Sequence, residues 1–233
     1  MRGGAHPGSP GPNGTVEGKG RAMGKKKKKA AKHESAAVAV RKKLKIDSGS
    51  PAEVLSSNLS YEGPLFRVLS DQIREPNGKL VRREVVRHNG SVVILAIDKG
   101  KSKKDPLVLI ERQFRHAAQQ YLYEVPAGKM EAGEDHLDAA KRELLEETGY
   151  QAKKWTKLVK YFASPGFLGE WMQVFLAEGL TPGEAHPEED ESFELQFVPL
   201  SELLRLIGAD KIRDGKTLIS VLWYAHFARR GPK

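Results

Sequence analysis

The chain has 233 residues, no cysteine, a formal charge of +9 and 39% apolar residues, so it suits one large or two small domains with a packed core. Without cysteine there is no disulfide, no thiol nucleophile and no cysteine-ligated zinc. No run of about 18 apolar residues is present to span a membrane, and the N-terminus lacks the apolar core of a signal peptide, so the expected location is the cytoplasm.

The charge is unevenly spread. Residues 1–45 hold 13 Lys+Arg against 2 Asp+Glu, an excess of +11 that leaves the rest of the chain at −2. This segment opens MRGGAHPGSPGPNG, carries the run Lys25 to Lys29 and shows no hydrophobic periodicity, so it reads as a disordered basic tail. Such a run suits nucleic acid or an acidic surface, but a solvated tail without a partner is the preferred expectation.

From residue 46 the pattern changes. Residues 55–90 read as short strands joined by turns, with Pro76-Asn77-Gly78 a strong turn signal between DQIRE and KLVRREVVRH. Ser91 to Asp98 is a β-branched apolar run suited to a buried strand, and Pro106 to Glu111 is a second, with the charged loop KGKSKKD between them. Tyr121 to Val125 leads into Pro126-Ala127-Gly128 and a helix. Trp155 to Phe162, Gln173 to Ala177 and Glu194 to Val198 are expected strands. Pro199 to Leu206 and Lys216 to Arg229 are expected closing helices, the second with an apolar face that includes Leu218, Val221 and Leu222. Strands before, between and after the helices predict an α/β/α sandwich on a mixed sheet.

The stretch Gly128 to Tyr150, GKMEAGEDHLDAAKRELLEETGY, holds five glutamates and one arginine. At about 100° per residue, Leu137, Ala140 and Leu144 form one apolar stripe, while Glu143, Glu146 and Glu147 gather on a second face. Carboxylates at i, i+3 and i+4 repel, so an isolated helix gains nothing from them. Such a face is either solvated or held by a hard cation such as Mg²⁺, which takes carboxylate and phosphate oxygens. In the second reading Glu143 and Glu147 are metal ligands, and Glu146 contributes to a metal or to proton removal.

The full spacing is Gly128, five residues, Glu134, seven residues, Arg142-Glu143-Leu144, one residue, Glu146-Glu147, one residue, Gly149-Tyr150. It resembles a complete Nudix box, departing only at Tyr150, where the family more often has an aliphatic residue. The resemblance spans residues 57–228 and is strongest to the ADP-ribose pyrophosphatase branch, through three features. Glu124-Val125-Pro126-Ala127-Gly128 enters the box, Ser164-Pro165-Gly166 puts a proline 16 residues beyond Gly149, and the acidic loop Glu188-Glu189-Asp190-Glu191 follows.

The resemblance implies a Nudix-type fold over residues 91–233, preceded by a small antiparallel β-domain over residues 46–90. That β-domain, with Tyr61-Glu62-Gly63, Arg82-Arg83-Glu84 and His88-Asn89-Gly90, is exchanged between two subunits in such enzymes, which implies a homodimer. The implied reaction is hydrolysis of the ADP-ribose pyrophosphate bond to AMP and ribose 5-phosphate, with magnesium as cofactor and manganese as a substitute. It adds the Ala127 carbonyl as a further metal ligand, Glu189 as general base with Glu191 as outer ligand or alternate base, and Pro165 as a mark of the substrate. Arg83 and Arg115 are the candidate substrate contacts, Arg115 because a guanidinium matches phosphate oxygens bidentately. Arg142 is expected to orient the glutamates, and Glu134 to support the loop entering the helix. Two rivals remain open: another nucleoside diphosphate sugar such as GDP-mannose, and a non-catalytic nucleotide-sugar sensor.

Overall fold

The computed structural model describes residues 51–100, 102–186 and 194–228; the basic tail lies outside them. Strands β1 (Glu53–Glu62), β2 (Arg67–Arg74) and β3 (Leu80–Arg87) form an antiparallel three-stranded sheet. The Asn77-Gly78 turn works as expected: Gly78 adopts φ +83°, its N–H donates to the Glu75 carbonyl at 2.8 Å, and Arg74 pairs with Leu80 beyond it. Every residue of β1 is exposed, Val54, Leu55 and Leu59 included, so this edge of the sheet presents apolar side chains that the chain itself does not cover. Val86 ties the sheet to the rest of the chain, its N–H donating to the Phe167 carbonyl at 2.8 Å and its carbonyl accepting from the Gly169 N–H at 2.9 Å.

The main sheet follows with β4 (Ser91–Asp98), β5 (Leu107–Arg115), β6 (Gln120–Glu124), β7 (Ala127–Lys129), β8 (Tyr150–Phe162), β9 (Trp171–Pro182) and β10 (Glu194–Pro199). The order is β10-β5-β4-β9-β8, with β6 paired to β5 and β7 to β4. β4 runs parallel to β9 and antiparallel to β5 and β7, so the sheet is mixed. The helices among the described residues are α1 (His136–Thr148), α2 (Leu200–Gly208) and α3 (Gly215–Trp223). None is long and apolar enough to cross a membrane.

Strand β4 shows why the layers form. Its residues Val92 to Ile97 are fully buried, and alternate side chains point to opposite faces. Val92, Ile94 and Ala96 pack with Ala139, Ala140 and Leu144 of α1. Val93, Leu95 and Ile97 pack with Leu200 and Leu203 of α2 and Val221 of α3. The sandwich expected from the sequence is therefore present, with α1 on one face and the closing helices on the other.

Four details differ from the sequence reading. β8 and β9 run beyond the expected strands, because pairing along their whole lengths, from Tyr150↔Pro182 to Phe162↔Trp171, carries polar residues into strand conformation. Ala127 to Lys129, expected only as a lead into the helix, pairs with β4 as a short strand. Helix α3 is regular only to Trp223 and continues as a π turn over Tyr224–Ala228. Leu222, expected on its apolar face, is 46% exposed, since a step of about 100° carries it past the stripe that buries Thr217, Val221 and Tyr224.

Leu144 fills the α1–sheet interface with no exposure. Leu144→Ala is expected to cost about 2–5 kcal/mol, read as a lowered urea midpoint at unchanged slope. A loss well below that range would mean that the helix stripe does not anchor this layer.

Candidate active site

Helix α1 starts where the Asp135 carboxylate accepts the Leu137 N–H at 2.8 Å and stops at Gly149, whose φ of +71° is the left-handed terminus a glycine permits. Between these ends its acidic face turns toward β7. Glu147 is buried and accepts the Ala127 N–H at 3.1 Å. Glu143 lies so close to Gly128 that an added Cβ would stand 1.8 Å from its carboxyl carbon and 2.1 Å from both oxygens. Glu146, the most exposed of the three, reaches Arg142 Nη1 at 2.9 Å.

Arg142 is the hub. Its Nε and Nη2 donate to Glu134 at 3.0 and 3.1 Å, Nη2 also donates to the Lys129 carbonyl at 3.2 Å, and Nη1 lies 2.9 Å from both Glu143 and Glu146. The hydrogen bonds that Arg142 donates to Glu134, with the charge of Glu143 and the bonds to Glu146 and Glu143, raise the Arg142 pKa against its partial burial, and Arg142 in turn holds Glu134 below the usual carboxylate range. Glu134 also accepts the Glu131 N–H at 3.1 Å, fixing the loop before the helix.

A second charged group centres on Glu124. Arg115, at the end of β5, donates from Nε and Nη2 to the two oxygens of Glu124 at 3.0 and 2.8 Å. Lys216, in the first turn of α3, also pairs with Glu124, and lies 3.1 Å from Asp214. Burial pushes the Glu124 carboxyl up, but Arg115 and Lys216 outweigh it and the pKa is lowered; Arg115 is raised mainly by its bond to Glu124.

Acidic and basic groups line one cavity of about 810 Å³, which includes Glu143, Glu146, Glu147, Arg115 and Lys216. Phe66, Phe167 and Met172 add an apolar side. A smaller cavity of about 480 Å³, lined in part by Arg67, Arg87 and His88, shares Arg142 and Glu143 with it.

The expected site residues fall into three groups. Ala127, Glu143, Glu146, Glu147 and Arg115 come together around the main cavity. Arg83 and Pro165 line neither cavity: Arg83 pairs with Glu75 at 2.9 Å on β3, and it is Phe167 and Leu168, just after Pro165, that reach the wall. Glu189 and Glu191 lie outside the described residues. Lys216, Phe167 and His186 were not singled out, and Glu124 entered only as the first residue of the stretch leading into the box. A signal existed for Lys216, since a cation in the first turn of an apolar helix opposes the helix dipole, an unfavourable place that the capping Asp214 two residues earlier only partly offsets.

The donor set suits a hard divalent cation: carboxylate oxygens close to the main chain of Ala127 and Gly128, with the glycine leaving room for Glu143. Among the described residues no three acidic or imidazole side chains surround a single point at ligand distance, Arg142 engaging two of the glutamates instead.

A mixed sheet between helices, with a glutamate-rich helix face and the cations Arg115 and Lys216 lining one cavity, defines the class. The chain belongs to the Nudix family: the family's NUDIX domain matches residues 87–219. It is 40% identical over 164 residues to an ADP-ribose pyrophosphatase of Bacillus subtilis (strain 168), covering 69% of this chain and 85% of the relative. An ADP-ribose pyrophosphatase of Mycobacterium tuberculosis is 39% identical over 175 residues, covering 73% and 81%. A GDP-mannose pyrophosphatase of Citrobacter koseri is 33% identical over 186 residues, covering 75% and 92%. Among solved structures, an ADP compounds hydrolase shares the fold with a TM-score of 0.68 at 22% identity, covering 79% of this chain and 98% of that one.

The Gly128–Glu143 contact makes a sharp prediction. Gly128→Ala is expected to fold with a melting temperature near that of the parent, because the group displaced is the end of a flexible side chain. Shifting that carboxylate by an ångström or more is expected to lower turnover at least about 100-fold. Unchanged turnover would show that the Glu143 position is not needed.

Proposed function

We propose that this chain hydrolyses the pyrophosphate bond of ADP-ribose to AMP and ribose 5-phosphate, with magnesium as its divalent cation and manganese able to replace it. The observation that carries the reading is that one cavity gathers both signs of charge: Glu143, Glu146 and Glu147 of the box helix line it together with Arg115 and Lys216. Relatives named ADP-ribose pyrophosphatase support the same substrate.

Glu143, Glu147, Glu146 and the Ala127 carbonyl would hold the cation, which when bound neutralises phosphate charge and lowers the pKa of a water. Arg115 binds diphosphate oxygens through the guanidinium donors that Glu124 leaves free. Arg142 keeps the glutamates apart and oriented rather than meeting substrate. Water attacks a phosphorus of the anhydride, the bridging P–O bond breaks, and the leaving phosphate takes the electron pair. Glu189 accepts the proton of the attacking water, with Glu191 as the alternate. The His186 N–H donates to the Glu146 carbonyl at 2.9 Å, so the chain leaves α1's acidic face immediately before the residues 187–193 that carry both glutamates.

The active unit in this reading is a cytoplasmic homodimer. Residues 46–90 form the β-domain exchanged between subunits, and residues 91–233 the catalytic domain. The exposed apolar side chains of β1 support that arrangement, in which Arg83 serves the partner's site. GDP-mannose is the second substrate reading, favoured by the relatives that bear its name.

A panel of ADP-ribose, GDP-mannose and a dinucleoside polyphosphate, assayed with magnesium, decides between these. ADP-ribose is expected to be turned over with the highest kcat/KM, EDTA to abolish activity and added magnesium to restore it. Glu147→Gln is expected to lower kcat by at least about 100-fold. Preference for GDP-mannose would move the assignment there, and no turnover of any member would favour a sensor.

A further inference from the structure

The basic wall of the cavity rests on a carboxylate that does not line it. Glu124 ends β6 and is 1% exposed. Its Oε1 accepts Arg115 Nε at 3.0 Å, and its Oε2 accepts both Arg115 Nη2 at 2.8 Å and Lys216 Nζ. Behind Lys216 stands Asp214, whose Oδ1 lies 3.1 Å from Nζ. The other Asp214 oxygen caps α3, accepting the Thr217 N–H at 2.9 Å and its hydroxyl at 2.6 Å, and the Thr217 hydroxyl oxygen accepts the Val125 N–H at 2.9 Å. The residue after Glu124 is thus bonded to the helix that carries Lys216.

Two cations face two carboxylates in this cluster, and the buried carboxylate of Glu111, paired across the strands with Glu124, adds its field to Arg115. The cluster is not symmetric, however. Arg115 and Lys216 line the cavity, whereas Glu124 and Asp214 do not. Glu124 uses two of the five guanidinium N–H groups, and the two carboxylates use two of the three ammonium hydrogens, leaving donors on both cations. Long basic side chains lose rotamer freedom when a ligand captures them, and a bidentate partner that fixes them beforehand removes that loss from binding. A buried ion pair adds little stability over apolar packing, so stability alone does not account for the set.

We propose that Glu124 is a positioning residue, holding Arg115 and Lys216 side by side on the cavity wall so that both engage one diphosphate. This rests on the reading of the main cavity as the diphosphate site and says which buried group sets its geometry. Loss of Glu124 frees Arg115, leaves Lys216 to Asp214 alone, and acts only through these two cations.

The test is calorimetric titration of the full chain with ADP in EDTA, which isolates diphosphate binding from turnover and from metal. Glu124→Gln and Arg115→Lys are each expected to weaken ADP binding by about tenfold or more, Glu124→Gln raising KM for ADP-ribose more than it lowers kcat. The double variant is expected within about threefold of the weaker single variant, since both act on one clamp. Glu124→Asp, which keeps the buried charge but withdraws its oxygens, gives the same direction of change if the glutamine variant does not fold. ADP affinity within twofold of the parent in either Glu124 variant, multiplicative losses in the double variant, or no ADP binding by the parent would overturn the proposal. A parent that binds ADP but leaves ADP-ribose intact overturns the substrate instead, while normal ADP-ribose turnover with ADP binding insensitive to Glu124 overturns only the clamp.

Discussion

Crowded like charge is the constraint that the site is built to satisfy. Glu143, Glu146 and Glu147 occupy one face of α1, where neighbouring carboxylates oppose helix formation by a few tenths of a kcal/mol per pair. The structure removes the strain in two ways. Arg142 engages Glu143, Glu146 and Glu134 with one guanidinium. Glu147 is withdrawn from water and given the Ala127 N–H. Arg142 thus acts as an internal counterion in the arrangement described, and a metal bound to Glu143 and Glu146 would compete with it for those oxygens. Gly128 follows from the same constraint. Its position beside Glu143 is open only because it has no Cβ, so the glycine at the head of the box and the glutamate 15 residues later meet as one contact in space.

Much of this was legible because local periodicity carried it. The apolar run of β4 was readable as a buried strand, and the alternation of strands with helices along the chain implied the layered fold that covers it on both faces. The stripe Leu137, Ala140, Leu144 set which face of α1 enters the core and therefore which face carries the glutamates. Asn77-Gly78 marked its turn through backbone chemistry. What stayed hidden depended on partners distant in sequence. Lys216 meets Glu124 across 92 residues, and no periodicity reports such a pair. Leu222 looked like a core residue from its type, whereas the angular position of α3 exposes it. The polar first turns of β8 are strand only because β9 lies beside them. Arg83 and Pro165 were chosen by resemblance, which transfers residue types more securely than it transfers their reach within a single protomer.

The two walls of the cavity constrain its ligand more tightly than either does alone. An acidic face without the basic one would suit a cation or a polyamine, and a basic face alone would suit any phosphate. Glu143, Glu146 and Glu147 facing the same space as Arg115 and Lys216 require a ligand that satisfies both signs. A diphosphate carrying a divalent cation does so, presenting positive charge to the glutamates and spare oxygens to the arginine and lysine. The apolar side from Phe66, Phe167 and Met172 leaves room for a flat ring or a sugar face beyond the charged centre. Because the glutamates sit on α1 while the cations sit on β5 and α3, their separation is set by elements packed on both faces of the same buried sheet. The packing of β4 therefore bears on the site as well as on stability: Val92, Ile94 and Ala96 fix the helix that carries the glutamates, and Val93, Leu95 and Ile97 fix the helix that carries Lys216.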